Sequence, residues 1–243
     1  MPSMKIYSSR GFDGPENTAA AFRAAFAAGA DAASCDLRRT ADGQFVALRD
    51  PDMGRLCGRG WRVAGTEWAH IKTLRVLGKE PVAHLDDLLN ILILRPCREF
   101  FFRLPGACPR DAADLARRIA SAGVQGRSFL TVPAGREDLL REASAAAPGL
   151  GLAAEKALPY DLPGAARAAG VPRLVTGWGE RRPGLFYAAA SVFGFAAQAR
   201  AAAAAGVELS AGTARHPRDV RRLKELGAAA VWTSDPEMAA KYS

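Results

Sequence analysis

The sequence predicts an α/β fold, a TIM (β/α)8 barrel. Short apolar runs alternate with alanine-rich segments of helical character along the chain, the pattern of βα units closing into a parallel sheet. At 243 residues the chain suits one barrel, and an apolar share of 49% can fill its core.

The elements follow in order. Residues 5–8 read as the first strand. Residues 17–28 read as a helix, because Phe22 and Phe26 lie four apart on one face and Gly29 stops it. Residues 32–37 form a second strand. After the Asp42-Gly43 turn, residues 45–48 fold back on it as a hairpin. Residues 66–77 and 84–94 carry amphipathic spacing and read as helices, with Thr66 capping the first. Residues 100–104 are a strand, followed by a helix over 110–122. Strands are expected at 127–132, 150–154 and 207–211, and 229–233 should close the barrel. Residues 217–226 open on proline in a first helical turn and end before Gly227. Between 172 and 205, both 173–176 and 191–195 read as strands, of which only one need belong to the barrel. Alanine propensity makes 196–205 helical.

Composition excludes several classes. The longest apolar stretches, such as 88–94, are too short to span a bilayer. The N-terminus lacks the apolar core of a signal peptide, so a soluble, cytoplasmic protein is expected. Cys35, Cys57, Cys97 and Cys108 show no paired metal spacing, and free thiols suit a reducing compartment. Strand alternation turns Cys35 away from Asp36. The formal charge is +8, with 27 arginines and six lysines. The arginines are scattered, and no basic run interleaves with aromatics, so nucleic acid is not an expected partner. Trp61, Trp68, Trp178 and Trp232 read as packing residues, although Trp178 in Gly177-Trp178-Gly179 could line the barrel mouth.

Two N-terminal stretches are specific: Ser9-Arg10-Gly11, leading to Pro15-Glu16-Asn17-Thr18, and Asp42-Gly43, leading to Arg49-Asp50-Pro51. With Ser34-Cys35-Asp36 between them, their layout resembles the glycerophosphodiester phosphodiesterase family. Residues 206–235 are similar to its closing segment, with Thr213, Pro217 and Thr233-Ser234-Asp235-Pro236 in place; Gly212 stands where a tryptophan is usual. The resemblance implies one barrel domain over 1–243, with a shortened insertion at about 54–83.

The resemblance also implies a site at the strand ends: two histidines as acid and base, an arginine gripping phosphate, and three carboxylates holding a divalent metal. Here Ser9 and Arg49 stand at the histidine positions and Ser34 at a metal-ligand glutamate. Arg10 keeps the phosphate position, Glu16 and Asn17 the turn, Asp36 one metal-ligand position, and Asp50 the partner of the second histidine. The strand-three pattern maps onto Phe102-Arg103-Leu104-Pro105, placing Arg103 at a metal-ligand glutamate and Pro105 at a lysine. Asp36 is then the one retained ligand, which makes a poor divalent-metal site. His70, His84 and His216 lie away from the motif turns.

No catalytic residue is assigned with the histidines replaced. No histidine is placed as a base for Ser9, and although Asp36 or Asp50 could be close, Ser9 reads as polar filler rather than a nucleophile. Arg10, Glu16, Asp36, Arg49, Asp50 and Arg103 are the candidate ligand-binding residues. No cofactor is expected, the metal being lost. Three readings follow. In the first, the mouth binds a phosphate-bearing or otherwise anionic small molecule without efficient hydrolysis. The second is an active phosphoric diester hydrolase of glycerophosphodiester or lipid metabolism with metal-independent chemistry. The third is a structural or interaction module, in which Arg103 merely pairs with Asp36. No feature sets an oligomeric state.

Overall fold

The computed structural model describes residues 4–178 and 183–243. It begins with β1 (Lys5–Ser9), α1 (Ala19–Ala27), β2 (Ala32–Arg39) and β3 (Phe45–Ala47). A small excursion follows. In it β4 (Asp52–Met53) pairs with β5 (Arg59–Arg62) across α2 (Gly54–Cys57), and after α3 (Trp68–Ile71), β6 (Arg75–Val76) pairs with β7 (Glu80–Pro81). Strand and helix then alternate: α4 (Leu85–Leu94), β8 (Glu99–Arg103), α5 (Pro109–Ser121), β9 (Ser128–Pro133), α6 (Glu137–Ala146), β10 (Gly151–Lys156), α7 (Leu162–Ala169) and β11 (Arg173–Gly177). Two helices, α8 (Pro183–Val192) and α9 (Phe195–Ala204), precede β12 (Glu208–Ala214). The chain ends with α10 (Pro217–Glu225), β13 (Ala230–Thr233) and α11 (Pro236–Ala240).

Eight parallel strands form a closed ring, because β1 pairs with β13 on one side and β2 on the other. This is a TIM barrel, as the sequence predicts. Strand β3 lies antiparallel on β2, as the hairpin expectation had it.

Strand alternation sorts the side chains. Phe100 and Phe102 point outward, and Phe22 and Phe26 of α1 meet Phe100 edge-on at 5.0 and 5.5 Å. Phe101 points inward and joins Tyr7, Ala32, Phe129, Ala153, Ala230 and Trp232 in the barrel interior. Its ring lies 4.8 Å from Phe129, 5.2 Å from Trp232 and 5.3 Å from Tyr7. Each such ring stabilises by roughly 1.5–3 kcal/mol through burial, and together they close the barrel below its mouth.

At the opposite end a polar cluster closes the floor. Arg173 forks onto Glu99 at 2.6 and 3.0 Å, approaches Glu208 at 3.4 Å and lies 4.0 Å above the Phe129 ring. The Tyr7 hydroxyl donates to Glu208 at 2.5 Å, while burial, then the Glu208 charge, pushes its proton affinity far up.

Four sequence expectations are corrected. Residues 66–77 are not one helix; only Trp68–Ile71 is helical, and Arg75–Val76 is a strand. Val63, Ile71, Val76 and Val82 are drawn into a satellite core with Val46, Leu48, Met53 and Leu56, and Leu77 takes a left-handed φ of 51° that reverses the chain. Thr66 does not cap it; its hydroxyl donates to the Arg62 carbonyl. Residues 191–195 are not a strand. They end α8 and begin α9, since β11 and β12 pair directly, Leu174 beside Leu209, and leave no gap for another strand. Trp61 is not a packing residue either; it is exposed on β5 with Arg59 over its ring.

Arg173→Ala is expected to lower the unfolding free energy by roughly 3 kcal/mol, since it strands Glu99 against an apolar layer while Glu208 keeps Lys5. Urea denaturation would measure it, and a loss within that of a surface pair, under about 1 kcal/mol, would count against the floor's role.

Candidate functional site at the barrel mouth

The inward aromatic layer dictates the layer above it. Two residues beyond Tyr7, Ala32, Phe101, Phe129 and Ala153 come Ser9, Ser34, Arg103, Thr131 and Glu155, on the same face of their strands. The register sets Ser9 beside Ser34, Asp36 beside Arg103, and Arg103 beside Thr131. These residues lie at the C-terminal strand ends, where barrels place their chemistry. The β8 register therefore puts Arg103, not Phe102 or Leu104, at the mouth.

The loop after β1 is built to reach this layer. Arg10 and Asn17 take left-handed φ values of 64° and 58°, held by hydrogen bonds from Arg10 N to Ser34 O (3.0 Å) and from Asn17 N to Arg10 O (2.9 Å). Between them Gly11, at φ 100°, passes so close to α1 that a Cβ would come 2.6 Å from Ala21 Cβ. Asn17 Oδ1 accepts from Asp36 N at 3.1 Å, and Thr18 Oγ1 caps α1 by accepting from Ala21 N at 3.2 Å. The Asn-Thr pair is thus the joint between loop, β2 and helix.

Charge is arranged around a buried acid. Asp36 is 2% exposed, with Arg10 Nε at 3.5 Å and Arg103 Nη1 at 3.7 Å. Arg103 binds Glu155 more closely, Nη2 to Oε2 at 2.7 Å, so its guanidinium bridges two carboxylates. Burial pushes the Glu155 carboxyl above its usual range; Arg103 opposes that rise and Asp36 adds to it. Arg10 Nη1 donates to Glu16 at 2.8 Å, Arg55 binds the other oxygen of Glu16, and Arg55 Nε donates to Asp50 at 2.6 Å. Burial works to raise the Glu16 pKa, but the bonds from Arg55 and Arg10 outweigh it and hold Glu16 below the usual range.

Two connected chambers result. The deeper one, about 340 Å³, is lined by Ser9, Ser34, Arg103, Thr131 and Glu155 beside Trp178, Trp232 and Phe101. The outer one, about 750 Å³, is lined by Arg10, Glu16, Arg49, Arg103 and Arg215. Gly177 lets β11 and β12 approach at the rim, since a Cβ there, at φ 147°, would lie 1.7 Å from Gly212 O.

Of the candidate residues, Arg10, Glu16, Asp36 and Arg103 form one network, and Arg49 shares the outer chamber while its carbonyl accepts from Arg38 at 2.8 Å. Asp50 joins that network only through Arg55, which binds both it and Glu16. Cys35 faces the outer core, away from the mouth. None of the three histidines lines either chamber; His84 caps α4. Trp178 lines both chambers, whereas its neighbour Gly179 lies outside the described residues. Glu155, Thr131 and Arg215 were missed. The expected strand over 150–154 stops short of Glu155, although the inward Ala153 two residues before it was the usable signal. Among the described residues, no three His, Cys, Asp or Glu side chains group to hold a cation.

Fold and mouth together define a (β/α)8 barrel whose strand ends carry an arginine–carboxylate network. Residues 10–105 match the model of the glycerophosphoryl diester phosphodiesterase family. Residue identity of 33% over 90 residues relates the chain to the uncharacterized protein YqiK of Bacillus subtilis (strain 168), an alignment spanning 36% of this chain and 37% of that relative. Over 100% of both chains the fold is similar to a Thermotoga maritima glycerophosphodiester phosphodiesterase, with 19% identity and a TM-score of 0.80. It is equally similar, at 18% identity and a TM-score of 0.80, to an Oleispira antarctica phosphodiesterase solved in complex with the product sn-glycerol-3-phosphate, covering 98% of this chain and 96% of that one. The chain thus resembles that family over residues 10–105 and shares the fold of these phosphodiesterases throughout.

The Glu16 network carries a pH signature. Folding lowers this pKa, so the stabilisation is complete above about 4.5 and is lost as pH falls through the lower folded value. Glu16→Gln should therefore cost roughly 1 kcal/mol at pH 7, and the gap to the parent should close in acid. Denaturant titrations at pH 7 and pH 3 would measure it; a gap that persists at pH 3 would contradict the assignment.

Proposed function

We propose that the mouth binds a phosphorylated or otherwise anionic small molecule and does not hydrolyse it efficiently. The observation that carries this reading is the Arg103 guanidinium between Asp36 and Glu155, where the family resemblance places a metal-ligand carboxylate. A fixed guanidinium supplies positive charge. It does not coordinate and activate a water as a bound metal ion does. The donor set does not fit a divalent ion, which takes oxygen ligands from several carboxylates. No imidazole stands in the chambers to move a proton.

What remains suits anion capture. Arg10, Arg49, Arg103 and Arg215 converge on the outer chamber, and the planar fork of arginine matches phosphate oxygens. The phosphate-bearing ligand of the Oleispira phosphodiesterase, on a shared fold, supports a phosphate-bearing ligand here. A second reading, metal-independent hydrolysis, has one observation in its favour: Glu155, with its raised proton affinity, shares the deep chamber with Ser9 and is suited to donating a proton.

Calorimetric titration should detect binding of inorganic phosphate and of glycerol phosphate, weakened about tenfold by Arg103→Ala through loss of a charge-assisted contact. Incubation with glycerophosphodiesters plus Mg²⁺, Ca²⁺ or Mn²⁺ should give no turnover. Turnover abolished by a chelator would refute the reading. Turnover indifferent to chelator but lost in Glu155→Gln would select the second one.

A further inference from the structure

Helix α8 lies at the rim of the mouth and has two apolar faces, of which the barrel uses one. Phe186, Tyr187 and Ala190 are buried against Trp178 and the outer core. On the other side Leu185 is 60% exposed and Val192 78% exposed, with the exposed Ala188 between them. Phe193, in the turn to α9, is half exposed and touches the half-exposed Tyr160 of the loop after β10, ring to ring at 5.8 Å. No charged residue occurs from 183 to 199.

Cations frame this face. The Arg222 guanidinium lies 4.1 Å from the Tyr187 ring, and Arg218 stands beside it on α10. Lys156 lies 3.7 Å from the Tyr160 ring, and Arg215 opens onto the outer chamber. The nearby acids are engaged. Asp219 is buried and accepts from the Tyr187 hydroxyl at 3.2 Å, and Asp161 caps α7.

We propose that this face is a peripheral docking surface for an anionic phospholipid layer, with the barrel mouth turned toward the headgroups. An exposed apolar helix face bordered by arginine and lysine, with an aromatic at its edge, has the composition of an interfacial membrane contact. Such basic side chains are drawn to the negative surface potential of anionic lipid. A second copy of the chain fits worse, because it would set the same basic rim against itself in a molecule of net charge +8. The contact is shallow and reversible; no described helix is long and apolar enough to cross a membrane. The proposal stands independently of whether the mouth hydrolyses its ligand.

Co-sedimentation of the full chain with phosphatidylcholine vesicles, with and without phosphatidylglycerol, tests it. Binding to the anionic vesicles at low salt is expected, with marked loss on pure phosphatidylcholine and at high salt. Val192→Glu and Leu185→Glu should each weaken it at least about tenfold. Leu94→Glu, 81% exposed on α4 at the opposite end of the barrel, should leave it unchanged. All three positions are exposed, so folding should survive, and thermal melts would verify this. Absence of binding to either vesicle, or equal loss in Leu94→Glu, would overturn the proposal. So would a dimer in light scattering that Val192→Glu converts to monomer, which assigns the face to a second copy.

Discussion

A buried carboxylate must be given a positive partner, and much of the mouth follows from giving one to Asp36. An unpaired charge at that depth costs several kcal/mol, far more than an exposed pair returns. Arg10 and Arg103 approach it from opposite sides. Arg103 has a second carboxylate, Glu155, and Arg10 a second, Glu16, which in turn holds Arg55 and through it Asp50. The charges form one chain from β10 to the excursion after β3. The left-handed turns at Arg10 and Asn17 are tolerable because this chain and the Asn17–Asp36 bond hold the loop from both ends.

The barrel separates this network from its stability core by one period of the strand. Tyr7, Phe101, Phe129 and Trp232 fill one layer. Ser9, Arg103 and Thr131 fill the next, and the polar layer rests on a packed aromatic floor rather than on water. That floor excludes solvent from below and lets the arginines act at lower dielectric than on an open surface. The Arg173–Glu99–Glu208 cluster closes the far end and contributes nothing to the mouth, the division of labour expected of a barrel's two faces.

The fold was legible because strand and helix periods differ, and residues 5–48 and 207–233 follow them with little interruption. Reading failed where a short apolar run had two outlets. Residues 191–195 are as apolar as a strand, yet the direct pairing of β11 with β12 decides against one, and that pairing is not written locally. Residues 66–77 carry helical spacing, yet the satellite core around Ile71 and Val76 claims them for a turn and a ribbon. In the site, the motif loop and Arg103 were placed by pattern, and the ion pair expected with Asp36 is present but longer than the one to Glu155. Glu155 sits on no motif. Its position is fixed by the alternation of β10, and its importance by a residue 52 positions away.

In the proposed reading, serine at 34 and arginine at 103, where the resemblance implies carboxylates, are physically consistent with each other. A carboxylate at 103 beside Asp36 would set two like charges side by side on neighbouring strands, tolerable with a cation between them and costly without one. Arginine at 103 reverses that sign, and serine at 34 removes the third acid that a cation would otherwise have had to offset. Asp36 and Glu155 then flank the Arg103 guanidinium, with Arg10 also within 3.5 Å of Asp36. In the proposed reading this fixed guanidinium stands where the resemblance implies a bound cation. Attraction for an anion then comes from Arg103 together with Arg10, Arg49 and Arg215 on the outer wall. In the proposed reading the outer chamber recognises the anionic group, and the deep chamber, with Thr131 and Trp178, receives what is attached to it.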